Sequence, residues 1–199
     1  MIKTTKAAPT AAFLEGKPCV NTIIDQILQA DIPEKEKSAI RVADDIGATT
    51  GAAFETTAAV LRLIVYYVYN NPKILTELRA ELDTLKSTTS TNLVDINATA
   101  LEQLPYLTAV LSEGLRLSPG SASRLARVAP DRSIYYDGWE IPAGTPVGMS
   151  TILMHTDEKN FPEPKSFVSE RWTDAETAKT GKKAFAPFSK GTRSCIGMQ

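Results

Sequence analysis

Between Pro33 and Pro72 the chain contains no proline. Proline inside a helix removes a backbone hydrogen bond and clashes with the preceding turn, so the gaps between prolines mark where long helices can form. A helix is expected from near Ser38 to Tyr69, closed by Asn70-Asn71-Pro72. It would run about 32 residues and about 48 Å at 1.5 Å per residue. That exceeds the usual globular helix and predicts a rod crossing the whole molecule, with an insert of small and hydroxyl residues, Gly47 to Thr57, in its middle. Its most apolar part, Ala58 to Tyr69, is about 12 residues long and carries Arg62. This is too short and too interrupted for a bilayer span, and reads as a buried core helix.

The helical pattern continues on both sides. Val20 to Ala30 places Val20, Ile23, Ile24, Ile27 and Leu28 at helical spacing, and Asp31-Ile32-Pro33 ends it. Pro72 suits the first position of a third helix through Ile74, Leu75, Leu78, Leu82 and Leu85. Lys86 to Asn92, rich in serine and threonine, reads as a loop, and a fourth helix is expected from Leu104 to Leu117, stopped by Ser118-Pro119. After Pro119 the character changes. Ile134-Tyr135-Tyr136, then Asp137-Gly138, then Trp139-Glu140-Ile141 is a hairpin signal. Val147 to Met154 is expected to be extended, and His155 to Gly197 to be ordered coil with short helical turns. The fold class is therefore mainly α with a small β part, without internal repeat or linker.

Composition narrows the function classes. At 199 residues and 43% hydrophobic content the chain can bury a core as one domain. Lysine and arginine number 22 against 23 acids, and they are scattered, so no basic face argues for nucleic acid. Two cysteines, Cys19 and Cys195, are too few for a disulfide framework, so a reducing compartment is the default and Cys19 is read as a free thiol. Met1 to Thr10 is polar and lacks a signal-peptide core, residues 1–17 are expected to be disordered or atypical, and no membrane segment is expected within this chain. Asn97-Ala98-Thr99 matches a glycosylation sequon by chance on this reading.

Chemistry concentrates near Gln199. Phe188-Ser189-Lys190-Gly191-Thr192-Arg193-Ser194-Cys195-Ile196-Gly197 sets a cysteine between glycines and behind an arginine. Gly191 and Gly197 permit positive φ and close backbone approach, so amides can point at the sulfur, and Arg193 adds positive charge. Both effects favour a thiolate, and Cys195 is the candidate metal ligand. Glu113 and Arg116, three apart on the fourth helix, are by themselves only a helix-face ion pair of about 0.2 to 0.5 kcal/mol.

Together with Phe167-Val168-Ser169-Glu170-Arg171-Trp172, these motifs resemble the cytochrome P450 family of haem-thiolate monooxygenases. Phe188, Gly191, Arg193, Cys195 and Gly197 match the family's cysteine-loop signature in full, Glu113 and Arg116 match its Glu-x-x-Arg, and Arg171 falls in its Pro-Glu-Arg-Trp-like segment, with Ser169 where proline is usual. Ala52-Ala53-Phe54-Glu55-Thr56-Thr57 resembles the oxygen-activation motif in altered form, with Ala53 where glycine is commonest. The resemblance runs from about Pro18 to Gln199 and implies the C-terminal portion of that fold: long central helix, Glu-x-x-Arg helix, β-hairpin and coiled haem-binding loop. It makes residues 1–199 a single partial domain, of fungal microsomal type.

The resemblance implies that Cys195 ligates haem iron, that Arg193 and Arg124 pair with haem propionates, and that Phe188 and Gly191 shape the loop. It implies that Glu55 and Thr56 relay protons, and that Glu113, Arg116 and Arg171 form a buried ion network supporting the loop. His155, the only histidine, falls in a structural turn and is not proposed as a ligand. The implied function is haem-dependent oxidation of a hydrophobic small molecule in secondary metabolism, with electrons from an NADPH-cytochrome P450 reductase. An intact member is expected at the cytosolic face of the endoplasmic reticulum, and this chain alone in the cytoplasm. The alternative is a truncated, non-catalytic remnant or incomplete gene product, because relatives of this family are more than twice as long.

Overall fold

The computed structural model describes residues 22–89, 98–118, 120 and 122–198. They fall into two compact units divided between Thr57 and Ala58. In the first, α1 (Ile23–Gln29) opens with a reciprocal cap: the Thr22 hydroxyl accepts from the Asp25 amide and the Asp25 carboxylate accepts from the Thr22 amide. A 3-10 turn, Glu34–Lys37, leads to α2 (Ala39–Asn70), the long helix expected from the proline gap. Among the described residues of this unit, Ile24 and Val42 are the buried apolar ones.

α2 continues through the unit boundary. By length and composition it is the one described helix apolar enough to cross a membrane. Its second half, however, buries a face within the protein. Ile64 and Val68 form a core with Ile74 and Val110, packed by Val60, Leu75, Leu78, Tyr106 and Phe167. Leu61, Val65, Tyr66 and Tyr69 stay exposed. The expected buried core helix is therefore buried on one face only.

Ile74, Leu75 and Leu78 belong to α3 (Pro72–Thr89), which starts at proline as expected. It runs on through Lys86 to Thr89, where the sequence predicted loop, because serine and threonine lower helix propensity only slightly. A short α4 (Ala98–Glu102) precedes α5 (Pro105–Leu117). Leu104 cannot cap α5 with its side chain, and Glu81 of α3 does so instead: its two carboxylate oxygens accept from the Tyr106 and Leu107 amides at 2.7 and 2.8 Å. A carboxylate there meets both the free N–H groups and the positive helix end. Asn97 and Cys19 lie outside the described residues.

Gly114 sets how closely α5 approaches α2. A Cβ built there would overlap the Ile64 side chain, so glycine is what admits Ile64 to the core.

Beyond α5, β1 (Ile134–Tyr136) and β2 (Trp139–Ile141) pair antiparallel around Asp137-Gly138, whose φ values of 48° and 79° are those of the predicted two-residue turn. Val147 forms a bridge to Arg127, but the expected extended segment stops at Ser150 and gives way to α6 (Thr151–His155). The expected coil after His155 also contains a ten-residue helix, α7 (Ala175–Ala184), capped by Asp174. Among its described residues the inward face shows buried Gly181 and half-buried Ala184, too slight to reveal it; its Asp174 cap and last-turn lysines satisfy and complement its ends.

Candidate functional site

The second unit contains a buried ion cluster. Glu113 is 0% and Arg116 1% exposed. Arg116 donates from Nε to Glu113 Oε2 at 2.9 Å and from Nη2 to Oε1 at 2.8 Å, a two-pronged pair on one helix face. Its Nη1 donates to the His155 and Pro164 carbonyls, each at 2.7 Å, and Nη2 also donates to the Ser166 carbonyl at 3.0 Å. All five guanidinium N–H groups are thereby used.

Glu113 gathers three more donors. Arg171 Nε reaches Oε1 at 3.1 Å, the Val168 amide reaches Oε1 at 2.9 Å, and Trp172 Nε1 reaches Oε2 at 2.9 Å. Burial would raise the carboxyl pKa, but hydrogen bonds from Arg116 and Val168 and the charges of Arg116 and Arg171 outweigh it and hold Glu113 below its ordinary value. The cluster brings together Glu113, Arg116 and Arg171, the residues for which the family resemblance, rather than their spacing, implied a buried network. It also recruits Trp172, which sequence reasoning passed over although it adjoins Arg171. Ser169 lies buried with its hydroxyl 3.2 Å from that of Tyr106.

His155 is the larger omission. It is 0% exposed; Nδ1 lies 3.1 Å from the Arg116 carbonyl, and Nε2 accepts the Ala186 amide at 3.0 Å. With the ring neutral, Nδ1 carries the proton and Nε2 the lone pair, an assignment fixed by these partners. Burial and the Arg116 charge lower its pKa, with the bond to the Arg116 carbonyl acting the other way.

Ala186 begins the cysteine loop. Its carbonyl accepts from Ser189, and the Phe188 carbonyl accepts the Cys195 amide at 2.9 Å. Ser189 and Gly191 take φ values of 64° and 78°, and Gly191–Arg193 forms a 3-10 turn. Cys195 is a free, exposed thiol; a Cβ built at Gly197 would lie 3.8 Å from its sulfur. Phe188 is half-buried, while Gly191, Arg193 and Arg124 are exposed. An exposed thiol with Arg193 two residues away in sequence is a donor set that fits a group needing a thiolate ligand and carrying carboxylates.

Glu55 and Thr56 belong to the first unit and are exposed, as are Ala53 and Phe54. The Thr56 hydroxyl donates to the Ala52 carbonyl at 2.8 Å. A Cβ at Gly47 or Gly51 would meet nothing within 4 Å among the described residues.

A Cytochrome P450 family profile matches residues 4–199. The chain belongs to the cytochrome P450 family. Among curated relatives, it is 41% identical over 180 residues to an N-acetyltryptophan 6-hydroxylase of Emericella nidulans, covering 89% of this chain and 35% of that protein. It is 40% identical over 177 residues to a cytochrome P450 monooxygenase of Emericella variicolor, covering 89% and 32%. With one from Ascocoryne sarcoides it shares 38% over 187 residues, covering 93% and 36%. The chain thus spans about a third of the length of the cytochrome P450 relatives it matches.

Proposed function

We propose that this chain supplies the thiolate side of a haem-dependent monooxygenase that oxidises a hydrophobic small molecule in fungal secondary metabolism. We further read residues 1–199 as a single partial domain of that enzyme. The observation that supports the reading best is the free, exposed Cys195 on a loop tied by hydrogen bonds to the Glu113 cluster.

In this reading Cys195 is the sulfur ligand. Haem, when bound, supplies the dioxygen chemistry, and a thiolate ligand favours O–O cleavage by releasing electron density. Arg193 and Arg124 present planar forks suited to carboxylates. Phe188 holds the Cys195 amide through its carbonyl, and Gly191 provides the positive φ that turns the loop. Glu113, Arg116 and Arg171 hold the coil on which the loop rests. The Thr56 hydroxyl spends its proton on Ala52, which leaves its oxygen lone pairs to accept from water, and the neighbouring Glu55 carboxylate can order that water. An NADPH-cytochrome P450 reductase is the electron donor, and the cytosolic face of the endoplasmic reticulum the site of the longer enzyme.

The test is the ferrous carbon monoxide spectrum of the chain produced with haem supply. A red-shifted Soret band is expected, and its loss in Cys195→Ala. Absence of that band from the wild-type chain would contradict the reading.

A further inference from the structure

We propose that His155 is a positioning residue for the cysteine loop: its ring carries the fixed geometry of α5 to the amide at which that loop begins. The consequence for haem rests on the function proposed above, but the link itself does not. Arg116 lies in the last turn of α5, where helix carbonyls lack partners within the helix. His155 Nδ1 donates to that Arg116 carbonyl at 3.1 Å. On the far side of the ring, Nε2 accepts the Ala186 amide at 3.0 Å, 31 residues away in sequence. From Ala186 the connection runs on through its carbonyl to the Ser189 amide and, one residue earlier, through the Phe188 carbonyl to the Cys195 amide.

The ring cannot swing. Phe185 stacks on it with centroids 5.6 Å apart, and Phe161 meets it edge-on at 6.1 Å. Phe161 in turn lies under the Arg116 guanidinium, 5.2 Å from ring centroid to Cζ. Only the neutral ring with its proton on Nδ1 serves both partners. A second proton on Nε2 would face the Ala186 N–H and leave that amide without an acceptor. Among the elements packed on the ring, α5 presents one charge, Arg116, itself held by Glu113, while the coil presents the uncharged Phe161 and Phe185.

A filler histidine would make different predictions from a positioning one. Phenylalanine keeps the volume and stacking but loses both hydrogen bonds. Glutamine brings a carbonyl oxygen to the Nε2 position and can accept from Ala186. The experiment uses the full chain labelled with nitrogen-15 at histidine, whose single imidazole is unambiguous, and amide hydrogen exchange of wild type, His155→Phe and His155→Gln. The wild-type ring is expected to be the Nδ1–H tautomer and to stay neutral at about pH 6.5, where a free imidazole is half protonated. In His155→Phe the amides of Ala186, Ser189 and Cys195 should exchange about five- to tenfold faster, with residues 105–117 unchanged, and His155→Gln should recover most of the protection. An Nε2–H tautomer, an ordinary titration, unchanged exchange in His155→Phe, or equal loss in both segments would overturn the proposal. The tautomer is read on wild type, so a variant that fails to fold does not remove the test. None of these readouts needs haem, so failure of this link and failure of haem binding are separate results.

Discussion

Five protein N–H donors converge on the two carboxylate oxygens of Glu113. Removing the negative charge would leave the Arg116 and Arg171 guanidinium groups buried without their counter-ion, which typically costs about 3 to 5 kcal/mol. Glu113→Gln is therefore expected to lower stability by that amount in urea unfolding at neutral pH, a large share of what a small domain possesses. Glu113, Arg116 and Arg171 were legible through the family resemblance of the segments that carry them, since the spacing of the first two alone read as a helix-face pair. His155 was not, because its partners lie 39 and 31 residues away and no local pattern records a contact through space. Trp172 was hidden by the same cause: its indole reaches Glu113 across 59 positions.

At the scale of elements, Gly114 is where the approach of α5 to α2 is decided. Gly114→Ala places a methyl in the space of the Ile64 side chain, and overpacking of this kind typically costs about 1 to 3 kcal/mol. Ile64→Ala alone is also destabilising, through the cavity it leaves. Combined, the two substitutions should cost less than their sum, and a double-mutant cycle by denaturant titration measures that coupling. Strict additivity would mean that the contact does not exist. Asparagine and proline marked where α2 ends and α3 begins, and Asp137-Gly138 identified the hairpin turn, but nothing as strong marked the end of α3. α6 and α7 escaped because the first is too short to display a period and the inward face of the second shows only small residues among those described, Gly181 the buried one. Close approach explains that glycine too: a Cβ there would lie 3.0 Å from the Phe161 ring.

For the whole molecule, the buried titratable groups set an acid limit. The folded state holds His155 below its ordinary value of 6.5, so as pH falls past 6.5 the unfolded chain takes up a proton that the folded chain refuses. Stability is expected to decline from there at up to about 1.4 kcal/mol per pH unit, until the folded imidazole itself titrates. Glu113, whose pKa is lowered from 4.5, adds a second loss as pH falls below 4.5 and through its folded value. Urea unfolding at successive pH values checks both, and His155→Gln should remove the first slope only. The C-terminal motifs made the family readable from sequence, whereas the division after Thr57 and the exposed side of α2 were not, since both depend on what packs where. The central claim, that Cys195 is the sulfur on haem iron, is tested most directly by X-ray absorption at the iron edge of the haem-loaded chain. One sulfur neighbour is predicted for wild type and none for Cys195→Ser; a sulfur that persists in the variant, or that is missing from wild type, would contradict it.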